Sequence, residues 1–413
     1  MGAKQQSSPS ISDMRWCGGI FVLALVLAFA TGMQAQTYTV LHSFTNSTDG
    51  ANPTAGVTMD RVGNLYGTSS HGGIGHGTVY KLQRKGWTFN PIYSFAGGAD
   101  GANPTARVIV GPDNLLYGTT AYGGSQNAGT VFRLAPSPKA CSRAICPWTE
   151  TLLYVFSGAA DGASPGYGDL VFDQAGNLYG TTYSGGESGE GVVFELMPSN
   201  GKWTENPIYA FSGSTGSGPL DGVIFDSAGS LYGTTYQGGR YGEGAIFQLS
   251  PSMGWTESVL HSFGYLNDGA YPHAGLIPDQ SGNLYGATSD FAPGGGGLVF
   301  ELSPSGDSWT YLNVYNLIGT VFNRCGPWGD LAVDASGNLY GTTFCDGPNK
   351  LGSVFKLTFS GGRWIYTSLH DFTGGNDGAN PISNVVIDAS GNLYGTASAG
   401  GAQGYGVVWE ITP

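Results

Sequence analysis

The chain has 413 residues, with 71 Gly, 23 Tyr and 20 Phe but only 11% charged residues, a balance that excludes long solvated helices and favours an all-β fold. Its formal net charge of −13 argues against nucleic acid as a partner, because that binding relies on Lys and Arg to neutralise phosphates. The length would hold two or three average domains, yet a large β-barrel or propeller uses it as one.

Residues 1–35 read as a signal peptide. Lys4 and Arg15 precede an apolar run from about Gly18 to Gly32, shorter than the ~20 residues of a transmembrane helix. Cleavage after Ala35 or after Gly32 fits the small-residue rule, and a retained membrane anchor is the alternative. Cys17 lies before the apolar run and is badly placed for a lipobox. Losing Lys4, Asp13 and Arg15 would move the net charge from −13 to −14, which suits a soluble extracellular or periplasmic protein. No later segment is apolar enough to span a bilayer, and a monomer is expected.

From residue 36 to residue 413 the sequence repeats. Leu-Tyr-Gly occurs seven times, at Tyr66, Tyr117, Tyr179, Tyr232, Tyr285, Tyr340 and Tyr394, with spacings of 51, 62, 53, 53, 55 and 54 residues. That period lies in the range of four-stranded propeller blades. Each unit holds four segments. The first is an apolar run closed by a polar turn ("GLIPDQSGN", 275–283), and the second is the Leu-Tyr-Gly segment. The third alternates ("GVVFEL", 191–196), and the fourth runs from a Trp to an aromatic or Leu eight positions on, as from Trp203 to Phe211. Segments of five to nine residues bounded by Gly, Asn, Asp and Ser read as strands. The prediction is a seven-bladed β-propeller with four antiparallel strands per blade.

The seventh unit stops after its third segment, "GVVWEI" (406–411). The missing strand is at the other end, where "TYTVLHSF" (37–44) matches the fourth-segment ending "VLHSF" (259–263). The N-terminal strand should therefore pair with the C-terminal blade, which closes the ring and removes an exposed sheet edge. Within a unit, Leu and Tyr should point to opposite faces and pack against the two neighbouring blades. The Gly is expected to let adjacent sheets approach, and the Asp ahead of it (Asp60, Asp173, Asp226, Asp279, Asp334, Asp388) to cap its own turn.

The units "DQAGNLYGTTYSGGESGEGVVFEL" (173–196) and "GGNDGANPISNVVIDASGNLYGTASAGG" (374–401) resemble the GloVer tandem repeat of the bacterial "choice-of-anchor" surface proteins, over essentially all of 37–413. The resemblance implies a secreted propeller and brings no established activity with it. Members often carry a C-terminal sorting anchor. This sequence ends at Pro413, directly after the last expected strand, so simple secretion is the expectation. More loosely, the units are similar to sensor-type propeller blades, and their Gly-Gly and Trp pattern to kelch blades, which implies an interaction role.

Function should lie where the repeat breaks its own symmetry. The residue entering the first strand, nearest the axis, is Gly56, Gly222 or Gly275 in three units but Arg107, Asp169, Asp330 or Asn384 in the others. Asp221, His273, Trp328 and Tyr167 stand close by in sequence. Together they would form a polar pocket with stacking surfaces, suited to a sugar or another small polar ligand. The same residues would equally make a hydrated, salt-bridged channel. A second set lies in the Gly-Gly loops: His71, His76, Tyr122, Tyr183, Tyr236, Arg240 and Tyr241. These would also make ordinary exposed loops, and two histidines without a third ligand are weak evidence for a metal. His42, His261 and His370 share one repeat position with Tyr and read as structural. No catalytic signature is present, and "GGGG" (294–297) reads as a loop. No cofactor is expected, and the sequence gives a divalent metal in the channel no support.

Four cysteines follow residue 35, which suits an oxidising compartment. Cys325 and Cys345 flank the first two strands of unit six and are expected to pair. Cys141 and Cys146, in an insertion at 135–147, are expected to pin a hairpin tip, with free buried thiols as the alternative. The resulting reading is a secreted binding or interaction module that takes a carbohydrate or protein partner on the loop face around the channel. The alternatives are a metal-dependent lyase or hydrolase at the channel mouth, around Arg107, Asp169, His273 and Asp330, and a structural surface protein without a small ligand.

Overall fold

The computed structural model describes Gly2, residues 36–137 and residues 148–413 apart from 253, 265, 266, 291, 293, 294, 307 and 319–323. The expectations for the signal segment and for Cys141 and Cys146 lie outside the described residues. The chain forms a seven-bladed propeller of four-stranded antiparallel sheets. Blades are numbered here by their Leu-Tyr-Gly units. Blade 1 comprises Val57–Met59, Leu65–Ser69, Thr78–Gln83 and Thr88–Ser94, and blades 2 to 6 follow the same plan. Blade 7 comprises Val386–Ile387, Leu393–Ala397, Val407–Thr412 and the N-terminal strand Thr37–Ser43. That last strand closes the ring as expected, with Thr37 opposite Thr412 and Ser43 opposite Val407.

Two expectations about strands are corrected. The first strand of each blade spans only two or three residues, because the residues ahead of it turn into the channel and bond across the ring. Residues 295–297 are not a loop. They open the strand Gly295–Ser305, with a register slip between Gly295 and Leu298.

The blade interfaces explain the repeated triplet. Tyr179 of blade 3 packs with Leu231 and Phe247 of blade 4, while Leu178 packs with Tyr117 of blade 2. The Gly has a different role from the one its sequence suggests. Gly180 pairs across the strand with Phe194, and a Cβ there would lie 2.7 Å from the Phe194 ring. A Cβ at Gly395 would lie 2.4 Å from the Trp409 ring. The glycine thus makes room for the aromatic of its own blade, which fills the wedge toward the neighbouring blade with no exposed surface. Asp173 caps its turn as expected, accepting the Ala175 and Asn177 N–H groups at 2.8 Å, and the Tyr179 hydroxyl joins it at 3.3 Å.

Farther from the axis the interfaces come in three kinds, one of which occurs once, where Tyr315 of blade 5 stacks on Tyr366 of blade 6 at 5.5 Å. His42 hydrogen-bonds Asp49 at 3.1 Å and stacks on Phe89 of the next blade at 3.7 Å. His261 and His370 do the same with Asp268 and Tyr311 and with Asp377 and Tyr38, so the structural reading of these histidines holds. Elsewhere the His is replaced by Tyr93, Tyr154 or Tyr209, which face Glu150, Glu205 and Glu257 of the next blade. Burial, reinforced for the first two by Asp100 and Asp161, pushes these carboxyls up to about 8, 7 and 6 respectively. Cys325 and Cys345 form the expected disulfide, with Cα atoms 4.5 Å apart.

Two outcomes follow from these contacts. Gly180→Ala should lower stability by about 1–3 kcal/mol in a denaturant titration, and adding Phe194→Leu should recover part of the loss. A Gly180→Ala protein as stable as the parent would refute the ring-over-glycine account. The raised glutamate pKa values mean that the folded state holds protons the unfolded state releases. That stability is complete below the unfolded value of about 4.5 and fades as pH rises through 6 to 8. Glu150→Gln with Glu205→Gln should therefore raise stability at about pH 8 by something on the order of 1–2 kcal/mol and flatten its pH profile. An unchanged profile would contradict the assignment.

Candidate ligand site at the channel mouth

An X-Pro pair precedes the first strand of every blade: Asn52-Pro53, Asn103-Pro104, Ser164-Pro165, Gly218-Pro219, Tyr271-Pro272, Gly326-Pro327 and Asn380-Pro381. Asn52, Asn103, Ser164, Tyr271 and Asn380 all adopt left-handed backbone, with φ between 52° and 56°. This turn, followed by the fixed φ of proline, delivers the next residues to the axis. All eight residues singled out by symmetry breaking converge there: Arg107, Tyr167, Asp169, Asp221, His273, Trp328, Asp330 and Asn384 line one cavity. Its volume is about 70 Å³, room for a few waters or one hydrated ion but not for a sugar ring.

The floor of the site is charged. Arg107 crosses from blade 2, donating from Nε to Asp169 at 2.6 Å and from its backbone N–H at 3.0 Å, and its Nη2 lies 3.7 Å from Asp330. Burial works against the Arg107 charge, but Asp169 and Asp330 outweigh it and raise the pKa. Asp221 and Asp330 both accept the Gly275 N–H, at 3.1 and 2.7 Å. Burial and then Asp330 hold the Asp221 carboxyl well above its usual range. Burial also raises Asp169, against the pull of Arg107. One oxygen from each of Asp169, Asp221 and Asp330 can lie within 4.8 Å of the other two, and this is the one such group of possible metal ligands among the described residues.

The rim is aromatic. Tyr167 packs edge-on to Tyr183 at 5.8 Å and also interacts with Tyr122; these rings are 38%, 37% and 43% exposed. Tyr236 meets His273 at 4.7 Å, His273 stacks on Trp328 at 4.1 Å, and Trp328 stacks on Phe344 at 4.7 Å. Arg324 lies 4.5 Å over the Tyr271 ring and bonds the Tyr236 hydroxyl. Burial, then Arg324, pushes His273 down to about 3, so it is neutral at ordinary pH.

Tyr271, Arg324 and Phe344 were absent from the sequence-based site. Tyr271 did leave a signal, a bulky residue at a left-handed position where three blades use Asn. Arg324 left none, because the repeat pattern is lost around it. Of the Gly-Gly loop residues, Tyr122, Tyr183 and Tyr236 join the rim. His71, His76, Arg240 and Tyr241 do not line the cavity. His71 bonds Ser70, the His76 ring sits where a Cβ on Gly97 would fall, and Tyr241 packs on Gly264 beneath Arg240.

Left-handed backbone costs a bulky residue roughly 1–2 kcal/mol, so the Tyr271 ring should serve something other than stability. Tyr271→Asn is expected to leave the melting temperature unchanged or raise it slightly, while releasing Arg324 from its aromatic contact. A melting temperature several degrees lower would make the ring structural instead.

A profile of the Gloeobacter/Verrucomicrobia repeat matches residues 25–224, 144–325 and 282–413. No curated protein matches the sequence. Among solved structures, the extracellular domain of a protein described as a hybrid two-component system from B. thetaiotaomicron aligns with a TM-score of 0.56 and 13% identity, over 91% of this chain and 41% of that one. The chain therefore spans about two-fifths of the length of that relative. An ulvan lyase of polysaccharide lyase family PL25, bound to -[GlcA(1-4)Rha3S]-, aligns with a TM-score of 0.52 and 11% identity, over 89% of this chain and 95% of that one. A protein described as a 6-phosphogluconolactonase from Bacteroides uniformis aligns with a TM-score of 0.50 and 17% identity, over 76% and 84%. At these identities the structural matches establish a shared fold. The three overlapping profile matches together run from residue 25 to residue 413, and the chain belongs to the Gloeobacter/Verrucomicrobia repeat family.

Proposed function

We propose that this protein is an extracellular carbohydrate-binding propeller whose ligand lies across the channel mouth on the aromatic rim. One observation carries the reading: exposed and half-buried rings, Tyr122, Tyr167, Tyr183, Tyr271 and Trp328, gather around one opening on the loop face. Tyrosine and tryptophan offer rigid contact area at low entropic cost, and their faces suit the apolar faces of sugar rings. The cavity beneath is too small to swallow a sugar, so a chain would rest on the rim, with polar groups of the mouth reaching its hydroxyls. A disulfide and the extracellular origin of one structural relative support the location. No helix among the described residues is long and apolar enough to cross a membrane.

The lyase or hydrolase reading has less support. Arg107 is already held by Asp169 and Asp330, and neutral His273 is stacked on Trp328 and outside the carboxylate group. It would be favoured by depolymerisation of a bound polysaccharide.

The test is a glycan array followed by calorimetry on the purified protein, with Trp328→Ala and Tyr167→Ala variants. Removing a stacking ring should weaken binding by about 1–3 kcal/mol, roughly ten-fold or more, without loss of fold. Failure to bind any glycan, or binding that both variants retain, would refute the proposal. Capture of a protein partner instead would move the reading to a protein interaction module.

A further inference from the structure

The floor of the mouth calls for more positive charge than the described residues supply. Three carboxylates from blades 3, 4 and 6 face a single guanidinium, and that guanidinium contacts Asp169 and Asp330 but not Asp221. Asp221 and Asp330 share one backbone donor, the Gly275 N–H. Charges buried in excess of their partners are costly, so such an arrangement is normally relieved by a proton or a bound cation.

A second observation, separate from the carboxylates, points to the cation. Asn384 of blade 7 lines the same cavity and is 7% exposed, yet its Oδ1 has no hydrogen-bond partner among the described residues. A Cβ on Gly56, the next ring position, would fall 1.7 Å from that oxygen. The glycine therefore leaves the space that the amide occupies in the ring. A buried carbonyl-type oxygen without a donor is itself destabilising, unless something electropositive comes to it.

We propose that the channel mouth binds a hard divalent cation of the Ca²⁺ type through Asp169, Asp221 and Asp330, with the Asn384 amide oxygen as a further donor. Every one of these donors is oxygen, which selects Ca²⁺ or Mg²⁺ over the softer transition metals. Ca²⁺ tolerates the irregular geometry of a ring built from four blades, whereas Mg²⁺ demands a near-ideal octahedron. The small cavity suits one ion and its residual waters. Arg107 neutralises part of the acidic cluster and fixes the orientation of Asp169. The site stands independently of the carbohydrate reading, since it requires only the floor and not the rim.

The experiment uses the full chain, stripped with a chelator, and reads both thermal melting and Tb³⁺ luminescence sensitised by the protein's own rings. Trp328 borders the cavity, so Tb³⁺ bound there should luminesce and be displaced by Ca²⁺. Ca²⁺ should raise the melting temperature saturably, as any ligand of the native state does. Asp221→Asn and Asn384→Ala should each weaken binding by about ten-fold or more. Trp328→Phe should dim the Tb³⁺ signal while leaving the Ca²⁺ shift intact. A wild-type protein that gives neither a Ca²⁺ shift nor displaceable Tb³⁺ emission would overturn the proposal. So would a shift that survives unchanged in Asn384→Ala, a variant that removes a neutral side chain and disturbs the ion pairs least.

Discussion

The fold depends on a packing constraint repeated seven times: an aromatic ring laid over a glycine. The second strand of each blade must carry a residue with no side chain opposite the bulky aromatic of the third, because a Cβ would collide with the ring. With the glycine there, the ring turns down into the wedge between blades, beside the Leu of its own triplet, and meets the Tyr of the neighbouring triplet. The Tyr of the triplet faces the other way and ties its hydroxyl to the turn-capping Asp. One short sequence thus sets the strand pairing, both interfaces and the hairpin end of a blade.

This repetition confines variation to a few places. The outer interfaces use a His stacked on an aromatic, a Tyr facing a Glu or, once, a Tyr stacked on a Tyr, and five of these His and Tyr side chains bond a loop Asp. The entry to the first strand varies more freely, because its side chains project into the channel and not into the packing repeated from blade to blade. That is where the sevenfold pattern gives way to one Arg, two Asp and one Asn, with Asp221 one residue ahead in a further blade. Above them the X-Pro turns and Gly-Gly loops carry the rings of the rim. A rigid scaffold with a locally irregular mouth is the arrangement that binding propellers require, and the strain accepted at Tyr271 fits a residue kept for contact rather than stability.

Most of the architecture was legible because the chain contains seven copies of its own blade. Comparing them separated what every blade needs from what only one carries, and that difference located eight of the residues that line the cavity. The pairing of Cys325 with Cys345 followed from antiparallel geometry, and ring closure from the match of residues 37–44 to 259–263. What escaped depends on distances rather than pattern. The purpose of the glycine was misassigned because its partner is across a strand, fourteen positions away for Gly180 and Phe194. The first strands were read too long because the polar residues before them bond across the ring and not along a ladder. Arg324 was missed because it lies in a stretch with no repeat register, and His71, His76, Arg240 and Tyr241 were grouped with the site because a loop's direction is not written in its composition.

The most direct test of the central claim is a hydrogen-exchange footprint with the tightest oligosaccharide found in a broad panel. The account predicts slowed exchange confined to the mouth: the backbone around Tyr122, Tyr167, Tyr183, Tyr236, Tyr271 and Trp328. The turns capped by Asp60, Asp173 and Asp279 on the opposite face should exchange as in the free protein. Protection on those turns or along the outer strands, or the absence of any oligosaccharide that binds, would contradict it.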